Sequence, residues 1–287
     1  MTTKGYIILA QNGKEDYVQM AYALALSIKI SQKEINSVCL ITDVIDAVPE
    51  HYRSVFDHII QIPWFDDALT SEWKIENRWK IYHVTPYDET ILLDADMLFL
   101  TDVSHWWHYL EKNHDLYIND NVLTYRNEKI TGRFYRRVFD ENNLPDTYSA
   151  FTYFKKSETA EEFWKWVEIA TKNWKEFYDL YLPNYKPKYL SIDVIFALVV
   201  KLLDIEDKVK SVLDYPNFVH MKSRVQNWES YSDDWMNHVG VYFNNTGSLK
   251  IGNYQQTGIF HYTEKEFLKH IVYTLEDLYK EKLNGSI

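Results

Sequence analysis

The chain has 287 residues, 46% of them hydrophobic, so it can bury a large core and does not have the composition of a disordered chain. Its net charge of −11 argues against broad electrostatic binding of nucleic acid, although a local basic groove is compatible with it. Cys39 is the only cysteine, which excludes an intrachain disulfide and a thiolate cluster, so any metal must use oxygen and histidine ligands.

The first hundred residues alternate between strand and helix patterns. Apolar segments bounded by polar residues predict strands at 6–10, 37–42 and 58–62. Helical spacing predicts one helix from residue 16 onward and a second over 71–84, ending before Pro86. A fourth strand follows and carries Asp94 and Asp96. This order is typical of a parallel, doubly wound sheet, in which ligands bind beyond the carboxyl ends of the strands.

The second part of the chain is less regular. Strands are predicted at 115–119, 148–154 and 218–221, and helices at 102–112 and 191–203. Ser157 can cap a further helix whose apolar residues recur at helical spacing. Residues 264–283 predict an amphipathic C-terminal helix.

The sequence contains no segment that predicts membrane insertion or secretion. No apolar run approaches the roughly 18 to 20 residues needed to span a bilayer. Residues 1–5 lead into a short strand-like stretch instead of a signal-peptide core. We therefore expect a cytoplasmic protein.

Two carboxylates, Asp94 and Asp96, stand at the end of an otherwise apolar run at residues 90–100. In a buried strand, unpaired carboxylates are costly, so a cation or a rich set of hydrogen bonds must satisfy them. A hard divalent ion held by two carboxylates keeps open positions for the oxygens of a diphosphate. The pattern therefore predicts a metal site.

Several short motifs occur along the chain in the same order as the conserved motifs of one enzyme family. They are residues 9–12 with Tyr17, the two aspartates, residues 148–154, Asp193, and residues 220–228, in which a histidine and a tryptophan are eight positions apart. In these segments the sequence resembles the GT-A nucleotide-sugar glycosyltransferases of family eight, which includes glycogenin and the bacterial galactosyltransferases of lipooligosaccharide synthesis. The resemblance implies an α/β fold, a Rossmann-like mixed sheet flanked by helices with a C-terminal helical extension. It also implies a retaining transferase that uses a nucleoside-diphosphate sugar.

The resemblance also divides the chain. Residues 1–262 form a single catalytic domain, with a nucleotide-sugar half at about 1–100 and an acceptor half at about 101–262. Residues 263–287 form a C-terminal helix packed on it.

Donor contacts are implied by the same resemblance. Arg78 stands where the family has a basic residue near the donor phosphates, and Gln226 replaces a family lysine, so that lysine's phosphate contact passes to Lys222 or Arg224. The other implied donor-binding residues lie at the end of the first strand, between the aspartates, in the 148–154 strand and at the end of the last motif: Ala10, Gln11, Asn12, Tyr17, Ala95, Ser149 and Trp228.

The chemical roles rest on three more residues. His220 matches the histidine that supplies the third metal ligand in the family, and His261, in a similar apolar segment, is the competing candidate. One imidazole beside two carboxylates shifts the metal preference from Mg²⁺ toward Mn²⁺. Asp193 falls where the family has an Asp-Gln pair, so the resemblance implies that it lies beside the anomeric carbon, where it either attacks that carbon or orients the acceptor while the departing phosphate takes the acceptor proton.

The acceptor is left open between two classes. A glycan or protein hydroxyl is the default, because the chain is acidic. The motif set also resembles glycosyltransferases of tailed phages, which would place the protein in the host cytoplasm, and a basic stretch follows the metal strand. This basic stretch could be a solvated or salt-bridged surface. Alternatively, it could be a groove that binds the phosphate backbone of DNA, with a hydroxymethylated pyrimidine in that DNA as the acceptor. Its residues are Arg126, Arg133, Arg136 and Arg137, with Lys129 among them.

Two other functional classes compete with a transferase. Departures from the family pattern at Ser149, Phe151, Val194 and Gln226 are compatible with a non-catalytic carbohydrate-binding protein on a degenerate fold. A nucleotidyltransferase or phosphotransferase could also use carboxylate-held metals. The chain contains no Gly-rich phosphate loop, which argues against that class.

Overall fold

The computed structural model describes residues 2–71, 74–130, 136–228 and 235–285. In this part of the chain strands and helices alternate up to the fourth strand, as predicted. The strands are β1 (Lys4–Leu9), β2 (Val38–Thr42), β3 (His58–Gln61), β4 (Glu89–Leu93), β5 (Met97–Phe99), β6 (Leu116–Asn119), β7 (Val122–Leu123), β8 (Tyr148–Lys155), β9 (Phe218–His220), β10 (Val241–Phe243), β11 (Leu249–Ile251), β12 (Tyr254–Gln255) and β13 (Ile259–His261).

The helices range from single turns to 15 residues. They are α1 (Tyr17–Ser31), α2 (Glu50–Arg53), α3 (Ile81–Val84), α4 (Ser104–Asn113), α5 (Arg137–Asn142), α6 (Glu158–Lys172), α7 (Trp174–Tyr181), α8 (Ile192–Leu202), α9 (Glu206–Val209) and α10 (Val272–Leu283). Within the described ranges, no helix has the length and apolar character that a bilayer crossing requires.

The strands form three sheets. The largest has six strands in the order β3-β2-β1-β4-β8-β6, with β3, β2, β1 and β4 parallel and β8 antiparallel to both of its neighbours. A four-stranded sheet has the order β5-β13-β9-β7, and β10, β11 and β12 form a small antiparallel sheet. The predicted α/β class with a mixed sheet flanked by helices is confirmed.

Strand β4 is buried on both faces of the main sheet, which explains its continuous apolar sequence. Ile91 and Leu93 belong to the apolar layer that also contains α1, whereas Leu92 belongs to the opposite layer, with Phe163 and Trp164 of α6. Side chains alternate between the faces of a strand, so this one segment contributes to both halves of the core. The residues that follow β4 are therefore fixed by packing on both sides.

Two predicted helices are wrong in their extent. The described part of 71–84 contains only a 3₁₀ turn at Arg78–Lys80 followed by α3, because Lys74 has a φ of 56°, which an α-helix cannot accommodate. The C-terminal segment begins with a 3₁₀ helix at Lys265–His270, and the α-helix starts only at Val272. Strands β10 to β13 were not predicted from the sequence.

The predicted cap of α6 is confirmed, because the Ser157 hydroxyl accepts a hydrogen bond from the backbone N–H of Ala160 at 3.3 Å. Replacing Ser157 by alanine is expected to lower the free energy of unfolding by about 1 kcal/mol, since the amide at the helix start loses its partner. Urea unfolding of the two proteins measures this difference. Ser157→Asp keeps an acceptor and should stay close to wild type; equal stability of Ser157→Ala and wild type would contradict the role of the cap.

Candidate active site

The two aspartates lie at the junction of two sheets. Strand β4 of the main sheet ends at Leu93, and β5 of the four-stranded sheet begins at Met97, so Asp94 and Asp96 occupy the short connection between them. The backbone N–H of Asp94 donates to the carbonyl of Ala150 in β8 at 3.1 Å, which fixes the connection. The carboxylates thus lie at the carboxyl end of a central strand, as predicted.

Asp96 is buried, and both of its carboxylate oxygens have partners. Oδ1 lies 3.0 Å from Nε2 of His261, and Oδ2 lies 2.5 Å from Nζ of Lys265. Burial alone would raise the pKa of Asp96, but His261 and Lys265 hold it well below its ordinary value. These two partners therefore favour the ionised form of Asp96, which is the form in which a carboxylate binds a metal.

A candidate metal-binding group is formed by Asp94, Asp96 and His261, whose ligand atoms all lie within 4.8 Å of one another. Two carboxylates and an imidazole form a donor set that suits first-row divalent cations. No described residue hydrogen-bonds Nδ1 of the buried His261, so this ring keeps an unused polar atom. The residues present fit a divalent cation.

His220, the histidine predicted as the third ligand, is not part of this group. Strands β9 and β13 are parallel neighbours with His220 opposite His261, so the two rings stack at 4.5 Å between centroids and 8° between planes. On its other side His261 is opposite Met97, next to Asp96. Burial lowers the pKa of His220 well below its ordinary value, which favours the neutral ring. The geometry favours His261, the competing candidate.

Arg78 connects the metal-binding group to the candidate catalytic carboxylate. Its guanidinium donates to Oδ1 of Asp94 at 2.6 Å and to the carbonyl of Ser149 at 2.5 Å. Ser149 in turn donates from its backbone N–H, at 2.8 Å, and from its hydroxyl, at 2.7 Å, to Oδ1 of Asp193 in the first turn of α8. The structure therefore brings Asp94, Arg78, Ser149 and Asp193 into one hydrogen-bonded network.

A cavity of about 760 Å³ opens beside these residues, within the usual size of a ligand pocket. Five predicted donor or metal-site residues line it together with Asp94, Asp96 and His261: Gln11, Tyr17, Arg78, Ala95 and Lys222. Residues 190–192 just before Asp193 also line it. Three lysines that no sequence motif indicated also line the cavity: Lys14, Lys74 and Lys265.

Gln11 is buried, and its side chain is occupied by protein partners. Its Nε2 donates to Asp66 at 3.0 Å, and its Oε1 accepts from Asn77 at 2.7 Å. The amide therefore holds the end of β1 against the segment that precedes Arg78, and it forms part of the cavity wall through this fixed position.

Four other predicted donor residues, Ser149 among them, are not among the residues that line the cavity. Ala10 is buried and donates its backbone N–H to Ile41. The side chain of Asn12 accepts from the backbone of Val18 at 2.9 Å and so holds the start of α1. Trp228 stacks on His238, with 5.1 Å between ring centroids. Their assignment to donor binding stays a prediction.

The arginines of the basic stretch are engaged with protein groups where the structure describes them. Arg136 is buried; its guanidinium lies 3.7 Å from the ring centroid of Phe139 and 3.9 Å from that of Tyr148. Arg137 and Arg126 pair with the carboxylates of Glu141 and Glu128 at 2.5 Å and 3.5 Å. Arg133 lies outside the described residues.

Comparisons with known proteins show the fold. No family model and no curated protein sequence matches the chain. Among solved structures, mouse xyloside xylosyltransferase 1 in its apo form is similar with a TM-score of 0.51 at 11% identity, over 90% of this chain and 97% of that one. The glycosyltransferase GlyE of Streptococcus pneumoniae TIGR4 is similar with a TM-score of 0.53 at 10% identity, and its apo form with 0.51 at 11%. The match to GlyE covers 100% of this chain and 64% of GlyE. The match to the apo form covers 99% of this chain and 64% of that form. The chain therefore has the GT-A glycosyltransferase fold that the sequence predicted.

Proposed function

We propose that the chain is a metal-dependent, retaining glycosyltransferase of the family-eight type, which moves a sugar from a nucleoside-diphosphate donor to a hydroxyl acceptor. The observation that carries this proposal is the group of Asp94, Asp96 and His261 in the wall of a cavity of about 760 Å³. Its position at the carboxyl end of β4 is where open α/β sheets bind their ligands.

The charges around the cavity suit a diphosphate. The guanidinium of Arg78 is held within the site by Asp94 and by the carbonyl of Ser149, so it can hydrogen-bond phosphate without first being ordered. Lys222, which follows β9 and is exposed, also lines the cavity and adds a second positive charge. When bound, a divalent cation, for which Mn²⁺ is our proposal, would neutralise the diphosphate as it leaves.

Asp193 is proposed to act on the reacting sugar. Two hydrogen bonds from Ser149 restrain Oδ1 of Asp193, and residues 190–192 place the start of α8 against the cavity. A carboxylate held in this way can attack the anomeric carbon from the face opposite the departing diphosphate, or it can orient the acceptor hydroxyl on the same face as the diphosphate, whose phosphate then takes the acceptor proton. Both routes give retention. The restraint by Ser149 supports the orienting role, because a nucleophile is weakened by hydrogen bonds to its oxygens.

The acceptor is proposed to be a glycan or a protein hydroxyl. The described arginines that could have formed a groove for a DNA backbone are buried against aromatic rings or paired with carboxylates. A phosphate backbone would have to compete with those contacts. Of the two interpretations of the basic stretch, these contacts therefore favour a salt-bridged surface over a DNA-binding groove.

We propose that residues 1–262 form the catalytic domain, because the ligands of the metal site come from strands on both sides of residue 100. The C-terminal helix α10 packs on α1, where the hydroxyl of Tyr22 donates to Glu276 at 3.1 Å and Nζ of Lys282 donates to the carbonyls of Lys29 and Ile30.

Calorimetric titration of the metal-free protein with uridine, guanosine, thymidine and adenosine diphosphates tests the donor site. In the presence of Mn²⁺ we expect one of them to bind at least about tenfold more tightly than without metal, because the two carboxylates and His261 would hold a cation that neutralises the phosphates. Incubation with the matching nucleotide sugars should show metal-dependent hydrolysis, which would exclude a non-catalytic sugar-binding protein. Failure of all four diphosphates to bind with Mn²⁺ would contradict the proposal.

A further inference from the structure

Lys265 contacts the proposed metal ligand directly. Its Nζ lies 2.5 Å from Oδ2 of Asp96, while His261 takes Oδ1, so both oxygens of this carboxylate are occupied by protein groups. A divalent cation that uses Asp96 must therefore compete with the ammonium of Lys265. The lysine supplies the positive charge that a buried carboxylate requires when no cation is bound.

The turn that presents Lys265 is anchored on Asp96 and is held in an unusual conformation. The backbone N–H of Tyr262 donates to the carbonyl of Asp96 at 3.1 Å. Thr263, which follows, has a φ of 56°, in the left-handed region that β-branched residues rarely adopt. Its buried hydroxyl has no partner among the described residues, and Thr263 lines the cavity. Such strain persists where the surrounding structure holds a residue in place for function.

Lys265 also reaches the side of the cavity where the donor is proposed to lie. Its Nζ lies 5.3 Å from the ring centroid of Tyr17, the first residue of α1 and a predicted donor contact. Arg78, by contrast, bridges Asp94 and the Ser149 carbonyl with two nitrogen atoms of one rigid group. A lysine has a flexible four-carbon stem and three rotatable donors, so it can change partners by rotation of its side chain.

We propose that Lys265 is a donor-binding residue that exchanges Asp96 for the donor diphosphate. This inference rests on the proposed function. The ammonium of Lys265 leaves Oδ2 of Asp96 when a divalent cation binds there, and it then hydrogen-bonds a phosphate oxygen of the donor. Without a diphosphate, Lys265 and the cation compete for Oδ2 of Asp96. With a diphosphate, Lys265 can bind a phosphate oxygen instead, and the competition for Asp96 ends. Binding of the cation and binding of the donor are thus coupled, and the coupling is reciprocal.

Lys265→Met tests the exchange, because it keeps an unbranched apolar stem as far as Cε and removes the charged ammonium. We expect Mn²⁺ alone, titrated by calorimetry, to bind this variant on the order of tenfold more tightly than wild type, since a charged hydrogen bond no longer competes. The manganese complex of inorganic pyrophosphate should bind the variant on the order of tenfold more weakly. Lys265→Gln, which is also neutral, should shift both affinities in the same directions and serves as the second variant if the first does not fold.

Lys269→Met is the matched control. Lys269 lies on the same 3₁₀ helix, is exposed and pairs with Glu266 at 2.7 Å, so both affinities should equal those of wild type. Unchanged or weaker Mn²⁺ binding in both Lys265 variants, with wild-type binding of Mn²⁺ and of a nucleoside diphosphate intact, would overturn the exchange but leave the proposed function standing. Absence of Mn²⁺ and diphosphate binding in the wild-type protein would overturn both.

Discussion

Replacing Asp96 by asparagine is expected to lower the rate of sugar transfer by at least about a hundredfold, the effect of removing one electrostatic contact to developing charge. The amide has nearly the shape of the carboxylate but carries no charge, so together with Asp94 and His261 it should hold a divalent cation much more weakly. Steady-state transfer, measured with the donor identified by calorimetry and over a range of Mn²⁺ concentrations, gives the loss. A higher Mn²⁺ concentration should restore only part of the lost transfer rate.

The same substitution has a second readout without catalysis. In wild type, Mn²⁺ should raise the melting temperature because it binds the folded state alone, and in Asp96→Asn this increase should disappear. Asp277→Asn on α10 removes an exposed carboxylate that pairs with Lys280 at 3.2 Å, and it should behave as wild type in both assays. Full activity and a normal Mn²⁺ shift in Asp96→Asn would rule out a role for this carboxylate in metal binding.

Arg78→Lys is expected to lower transfer by about ten- to a hundredfold and the free energy of unfolding by about 1 to 3 kcal/mol. A single ammonium cannot reach both Oδ1 of Asp94 and the carbonyl of Ser149, which the guanidinium contacts at 2.6 Å and 2.5 Å. One of these acceptors, the half-buried Asp94 carboxylate or the buried Ser149 carbonyl, would then lose its donor. Transfer kinetics and urea unfolding measure the two effects.

Arg53→Lys is the control for the loss of a bridging arginine. Arg53 also donates to two acceptors, the carbonyls of Val48 and Ile45, but it does not contact the metal-binding group. This variant should lose some stability and keep its transfer rate. If Arg78→Lys retained wild-type kinetics while it lost stability, Arg78 would be a structural residue and the proposed phosphate contact would be wrong.

The sequence was sufficient for features that depend on neighbouring residues. The apolar residues around Asp94 and Asp96 predict a buried strand that ends in carboxylates, because strand packing alone produces this pattern. Arg78 was selected by its distance from Asp94 and Asp193 by its match to a family Asp-Gln pair, and the structure places both in the network that includes Asp94. The resemblance to family eight and to phage enzymes stays a prediction.

What the sequence could not decide is how strands from distant segments align. His220 and His261 both lie in short apolar strands and are opposite each other in the sheet, so local pattern does not separate them. The spacing from His220 to Trp228 favoured His220, yet Trp228 packs on His238 instead of lining the cavity. The pairing of β13 with β5 brings His261 beside Asp96. Lys265 was missed for the same reason, since its only local signal is its position four residues after His261.

The pairing of β13 with β5 also determines when the site can form during synthesis. Asp96 and His261 are 165 positions apart in the chain, so the last ligand leaves the ribosome long after the main sheet has been made. Until then the nascent protein has two carboxylates at a strand end without the imidazole or the ammonium that accompanies them in the finished fold. A nascent chain arrested before residue 259 should therefore contain the donor-side strands and still be unable to retain the cation.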